Sequence, residues 1–233
     1  NGQIITIGGC AKGVGMIHPN MATTLAFVTT DAGISPEQLQ ICLRAATEQS
    51  FNRITVDGDT STNDMITAMA NGASGFRLPP EAIRSFQHAL NDLLIDLARQ
   101  VASDGEGANR LITVRVVGAS DEAAALQVAR TIASSPLVKT AVHGADANWG
   151  RIIAAAGRAG VEMNPEIVEI RINDLPVLEP GYRSFFDEAE ATRRLSEDEV
   201  VIQVDLGMGD GVATTWTCDL SADYVRINAS YRS

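Results

Sequence analysis

Apolar residues recur along the chain at two spacings, and the elements follow from them. Ile4 to Ile7 is a short β-type run that ends in Gly8-Gly9, and Leu25-Ala26-Phe27-Val28 reads as a second, buried strand. Between them lies the glycine-punctuated stretch Ala11-Lys12-Gly13-Val14-Gly15-Met16, which predicts a loop. Ser35 as N-cap, Pro36 at the first helical position and Gln38 three residues after the cap predict a helix whose buried face holds Leu39, Cys42, Leu43 and Ala46. Phe51 to Val56 is strand-like and delivers the polar cluster Asp57 to Asp64 to a loop. Pro79-Pro80-Glu81 opens a long helix with Ile83, Phe86, Leu90, Leu93, Leu97 and Val101 on one stripe, closed by Ser103-Asp104-Gly105-Glu106-Gly107. His88 falls close to that stripe, which assigns it a structural role.

Further on, Leu111 to Val117 alternates as a strand, and Asp121 to Ala133 and Asn148 to Gly157 read as helices. The tail from Ile167 is mainly β-type, interrupted by a short helix over Glu190 to Leu195. Gly207 to Gly211 sits between two β-type runs, Val200 to Leu206 and Val212 to Cys218, and so predicts a hairpin. No repeat or linker stands out. The economical fold is mixed α/β, helices and sheet around one extended core, the alternative being a subdivision near Pro165.

Composition narrows the class of function. The net charge is -11, from 18 Lys and Arg against 29 Asp and Glu, so no broad cationic surface faces a phosphate backbone and nucleic acid is not an expected partner. No apolar run is long enough to cross a membrane, and no signal peptide opens the chain, so a cytoplasmic protein is expected. The chain opens at Asn1 without an initiator Met, which reads as a fragment or a processed chain. Cys10, Cys42 and Cys218 are scattered and odd in number, which fits neither a disulfide framework nor a metal site.

The chemically loaded stretches are fewer. A dinucleotide fingerprint on Gly13 and Gly15 needs a third glycine where His18 stands, and the P-loop order is missing, so nucleotide binding is disfavoured. Asp57, Asp59 and Ser61 open like a calcium loop, but Thr62 and Ala68 occupy positions that need Gly and a bidentate Glu. A turn built by short polar side chains is the plain alternative for this cluster. His18, His88 and His143 make no metal pair. The loop His143 to Arg151, dense in Gly and polar residues, reads equally as structural or functional.

The string Ala11-Lys12-Gly13-Val14-Gly15-Met16-Ile17-His18-Pro19-Asn20-Met21-Ala22-Thr23 resembles the self-cleavage region of the ornithine acetyltransferase family, also called bifunctional glutamate N-acetyltransferase. Asp57 to Asp64, Ser103 to Gly107, Ser135 to Ala141, His143 to Arg151 and Asn228 to Ser233 are similar to family blocks in the same order. The resemblance implies a layered sandwich of helices and sheets of the N-terminal-nucleophile type. It also implies self-cleavage between Ala22 and Thr23: residues 1–22 would end an α chain, and residues 23–233 would form a β chain whose new N-terminal Thr23 is the nucleophile.

A free α-amine, with a pKa of about 7.7 to 8.0, is a base on the same residue as the hydroxyl it activates. By resemblance, Thr23 takes acetyl from N-acetylornithine and passes it to glutamate, with acetyl-CoA a further candidate donor and no bound cofactor or metal. Lys12, Thr23, Glu106, Asn228 and Ser233 match the family's substrate-contacting positions. The oxyanion hole belongs to an α-chain portion ahead of residue 1, and an α2β2 heterotetramer is implied. Thr24 departs from the family pattern, where an apolar residue is expected, as do Val14 for Ser and Ser233 for Thr. An amidase or aminopeptidase with the same nucleophile, and a non-catalytic amino-acid-binding domain, are the competing readings.

Overall fold

The first strand starts where the apolar run of the sequence ends. β1 occupies Ile7–Lys12, not Ile4 to Ile7, and carries the chain through both glycines to the lysine. Pairing decides this: β1 lies antiparallel to β2, Leu25–Thr30, from Ile7 opposite Thr30 to Lys12 opposite Leu25. A Cβ on Gly9 would stand 3.0 Å from the Phe27 carbonyl oxygen and 3.2 Å from a Leu97 methyl, so a close approach is the reason for glycine here.

The computed structural model describes residues 4–18 and 24–230. It divides into two compact units, Asn1–Val101 and Ala102–Ser233. In the first, β2 also pairs in parallel with β3, Met65–Ala70, giving a three-stranded sheet in the order β1-β2-β3. The first helix, α1, runs Pro36–Glu48 as its cap signals predict, with the Ser35 hydroxyl accepting from the Gln38 amide at 3.3 Å. The long helix α2, Pro80–Ser103, buries Phe86, Leu90, Leu94 and Leu97, while His88 is exposed rather than packed with the stripe.

Phe51 to Val56 does not open as a strand. Phe51–Arg53 is a single 3-10 turn, because Ser50 and Arg53 both turn back onto the end of α1. The Ser50 hydroxyl donates to the Ala46 carbonyl at 2.7 Å, and the Arg53 Nε donates to the Glu48 carbonyl at 3.0 Å. All six residues are buried, the polar Asn52, Arg53 and Thr55 along with the apolar Phe51, Ile54 and Val56, so the stretch is a packed corner.

The second unit is built on a five-stranded mixed sheet. Its strands are β4 (Leu111–Ala119), β5 (Glu169–Ile172), β6 (Leu175–Leu178), β7 (Glu199–Asp205) and β8 (Gly211–Cys218), in the order β6-β5-β7-β4-β8. β7 and β8 therefore form no hairpin: β4 lies between them, parallel to β7 and antiparallel to β8. The connection crosses the end of β4 instead of turning back. Leu206 and Met208 donate their amides to the carbonyls of Val117 and Gly118, and a Cβ on Gly209 would stand 2.5 Å from the Ala119 carbonyl oxygen. The glycine cluster that reads as a hairpin turn is needed for this crossing.

Five helices accompany the sheet: α3 (Glu122–Ala133), α4 (Pro136–His143), α5 (Trp149–Gly157), α6 (Glu188–Leu195) and α7 (Ala222–Ser230). Asp121, Ser135, Asn148 and Asp187 cap the first four through their side chains. The core between sheet and helices includes Ile112, Val114, Val128, Ile132, Ile170, Leu195 and Ile202, each nearly inaccessible. Pro165 lies within this unit, in the loop between α5 and β5. α4 and α7 were not expected from the sequence pattern. His143 is accordingly the last residue of a helix rather than the start of a loop.

Candidate active site

In the first unit, the backbone at Met16 and Ile17 on one side and at Thr24 on the other is tied to the acidic loop that begins at Asp57. Met16 has φ 52°, a left-handed conformation that costs a residue with a Cβ roughly 1 kcal/mol. Asp57 supports it by accepting from the Met16 amide at 2.6 Å through Oδ2 and from the Ile17 amide at 3.1 Å through Oδ1. The Ile17 side chain is buried, and its carbonyl accepts from the Val56 amide at 2.8 Å and the Thr55 hydroxyl at 3.2 Å. His18 Nδ1 lies 3.1 Å from that hydroxyl.

At the other end of the loop, Asp64 Oδ1 accepts from the Thr24 amide at 2.8 Å, and the Thr24 carbonyl accepts from the Met65 amide at 3.0 Å. Burial pushes the Asp64 carboxyl above its ordinary value, against the opposing pull of the Thr24 amide. Thr24, the departure from the family pattern, is a buried polar residue at the mouth of β2. Lys12, expected in a loop, is the exposed last residue of β1.

In the second unit, two residues matched to the family's substrate contacts meet. Asn228 on α7 donates its Nδ2 to Glu106 Oε2 at 2.8 Å. The pair rests on a dense support. The Ser221 hydroxyl donates to the Gly107 carbonyl at 2.6 Å, and a Cβ on Gly107 would stand 2.5 Å from the Tyr224 amide nitrogen. The loop carrying Glu106 is thereby pressed onto the first turn of α7.

Beneath it sits Asp219, whose side chain is fully inaccessible. It accepts from the amides of Asn109 at 2.7 Å and Arg110 at 2.9 Å, from Asn109 Nδ2 at 3.3 Å, and from His143 Nδ1 at 2.7 Å. Burial raises the carboxyl's pKa, yet the hydrogen bonds from Asn109, His143 and Arg110 outweigh it and hold the group below its ordinary value. A carboxylate accepts only, so His143 carries its proton on Nδ1. Arg110 completes the joint by donating Nη1 to the His143 carbonyl at 3.1 Å, at the C-terminal end of α4.

Of the residues singled out in the sequence, Glu106 and Asn228 come together and Lys12 stands on the first unit. Ala22, Thr23 and Ser233 lie outside the described residues. Asp57, Asp64 and Asp219 were not assigned these partners from sequence; no periodic signal marks a side chain that bonds a backbone tens of residues away. Among the described residues, no group of three or more His, Cys, Asp or Glu side chains is placed to hold a metal ion. No helix among them is long and apolar enough to cross a membrane.

Known proteins with this sequence pattern agree with one another. The protein named arginine biosynthesis bifunctional protein ArgJ from Geobacillus stearothermophilus is 53% identical over 236 residues, covering 100% of this chain and 58% of that protein. Its counterpart of the same name in Halalkalibacterium halodurans is 54% identical over 237 residues, with the same coverage. A crystal structure of arginine biosynthesis bifunctional protein argJ from Bacillus halodurans superposes with a TM-score of 0.85 at 51% identity, covering 88% of this chain and 98% of that one. The chain spans 58% of the length of these two full-length relatives. With the ArgJ family pattern matched across residues 1–233, the chain belongs to the ArgJ family.

Proposed function

We propose that this chain carries the nucleophile of an acetyl transfer from N-acetylornithine to glutamate. The observation that supports the reading best is the Glu106–Asn228 pair, a carboxylate and an amide held 2.8 Å apart on a rigid joint. An amino-acid substrate presents an ammonium, which the Glu106 carboxylate binds, while Asn228, donating its Nδ2 to Glu106 and to the Tyr224 carbonyl, holds that carboxylate in place. Family membership supplies the reaction in which such a pair is useful.

In this reading the Thr23 hydroxyl adds to the Ala22 carbonyl. The Ala22–Thr23 C–N bond breaks as an ester to Thr23 Oγ forms, and water opens the ester to leave an Ala22 carboxylate and a Thr23 amine. That amine then takes the hydroxyl proton as Thr23 attacks the acetyl carbonyl of N-acetylornithine. Ornithine leaves, and the glutamate amine takes the acetyl from the threonine ester. The oxyanion hole comes from the part of the full-length protein that precedes this chain, within an α2β2 assembly. Ser233 contributes to substrate binding, acetyl-CoA is a second acetyl donor, and no cofactor or metal takes part.

The test is intact mass and donor use of the full-length protein. A chain starting at Thr23, an acetyl adduct on Thr23 after incubation with N-acetylornithine, and ornithine release that depends on glutamate are expected. Release that ignores glutamate makes the protein an amidase, and an uncut protein that forms no adduct makes it a binding domain.

A further inference from the structure

Apolar packing does not place the helix that carries Asn228. None of the residues of α7 is buried, and Val225 and Ile227 stand exposed on it. The polar groups that fix it lie just ahead of its first turn. The Ser221 hydroxyl donates to the Gly107 carbonyl and accepts from the Asp223 amide at 3.2 Å, and the buried Asp219 lies two residues earlier. We infer, on the Glu106 reading above, that Asp219 and His143 are positioning residues for substrate binding, setting where Glu106 stands relative to Asn228.

Three stretches far apart in sequence meet at the Asp219 carboxylate. The chain just after Glu106 reaches Oδ1 through the amides of Asn109 and Arg110, and the end of α4 reaches Oδ2 through His143 Nδ1. Asn109 Nδ2 joins the carboxylate to the loop itself, donating to Asp219 Oδ2 at 3.3 Å and to the Gly107 carbonyl at 3.1 Å. Arg110 closes the circuit by donating Nη1 to the carbonyls of His143 at 3.1 Å and Val142 at 3.4 Å. The residue next to Glu106 and the segment leading to Asn228 therefore hang from one side chain.

The chemistry of the acceptor decides how firmly they hang. A carboxylate has two oxygens and no donor, so it takes both backbone amides on one side and both side chains on the other. An amide of the same shape turns an N–H toward one set: the amides of Asn109 and Arg110, or Asn109 Nδ2 with His143. Either choice pushes the loop away from the segment that carries α7. His143 is the outer member, with its side chain 42% accessible, so truncating it leaves no core cavity and tests the geometry rather than the packing.

The experiment measures ornithine release from N-acetylornithine by the full-length protein, with glutamate present, at a temperature where each variant is folded. Asp219→Asn is expected to raise KM for N-acetylornithine by roughly tenfold, the worth of one charge-assisted hydrogen bond, with kcat changed by less than about twofold. His143→Ala raises KM by about threefold, and His143→Asn, which keeps a side-chain N–H for Asp219, brings it back toward wild type. Asp121→Ala, which removes the cap of α3 in the same unit, lowers Tm with KM unchanged. Wild-type KM in both Asp219→Asn and His143→Ala overturns the inference, and so does an equal rise in Asp121→Ala. If Asp219→Asn fails to fold, the His143 variants decide. A KM raised by His143→Ala and restored by His143→Asn supports the role; a KM that His143→Ala leaves unchanged, or that His143→Asn does not restore, overturns it. Glu106→Gln separates the two levels. An unchanged KM there defeats the Glu106 reading itself, whereas a raised KM there beside wild-type values in Asp219→Asn and His143→Ala defeats the positioning role alone.

Discussion

Asp219 does at the scale of one residue what no sequence pattern announces. Four donors converge on a carboxylate removed from water, and their combined pull overcomes the burial that would otherwise protonate it. Its native pKa lies below the unfolded value, so its contribution is fully present above that value and is lost as pH falls through the native pKa. Asp219→Asn is therefore expected to lower stability by about 2 to 3 kcal/mol at neutral pH, because a buried donor set loses its charged acceptor. In urea titrations the gap to wild type should narrow as pH falls below the ordinary aspartate range. A gap that stays constant with pH would remove the charge from the explanation. His143, reached through this carboxylate, stood in a stretch flagged for its chemistry, but the partner that gives it meaning lies 76 residues away.

The elements show where pattern and packing disagree. Capped helices were legible: Ser35-Pro36 and Asp121 mark their helix starts, since a cap is a local hydrogen bond. Asp121→Ala, which deletes the acceptor of the Ala124 amide at 2.8 Å, should cost about 1 kcal/mol in chemical denaturation with no change in far-UV signal at room temperature. α7 escaped notice because it has no buried stripe; none of its residues is buried. Its place depends on the loop beneath it, where Gly107 has φ 70° and no room for a Cβ against the Tyr224 amide. Gly107→Ala should destabilise by about 2 kcal/mol or more, from a left-handed backbone and a forced shift together. In the function proposed above, it should also raise the KM for N-acetylornithine more than it lowers kcat, since Glu106 would part from Asn228. An unaltered KM would separate this joint from substrate binding.

For the molecule as a whole, the two units keep separate sheets, and the faces of those sheets differ. In the three-stranded sheet, Ala26, Val28 and Thr30 are buried, whereas Phe27, Met65 and Met69 are exposed on the opposite side, with Cys10 opposite Phe27. Cys42 and Cys218 are buried. A thiol reagent should accordingly modify one cysteine rapidly in the native chain and three in denaturant, with Cys10 identified by peptide mass. Fast reaction of Cys42 or Cys218 in the native chain would contradict the packing described for α1 or β8.

By itself the sequence determined the mixed α/β character, the starts of α1, α2, α3 and α5, the burial of Cys42, and the family, through motifs spread along nearly the whole chain. These are local or cumulative signals: a period, a cap, an ordered string of residues. Tertiary structure alone decided that β4 separates β7 from β8, that Phe51–Arg53 is a turn, and that Glu106 meets Asn228 across 122 residues. Strand order and long-range hydrogen bonds depend on which surfaces meet, and a β-type run is equally satisfied by either neighbour until the core selects one.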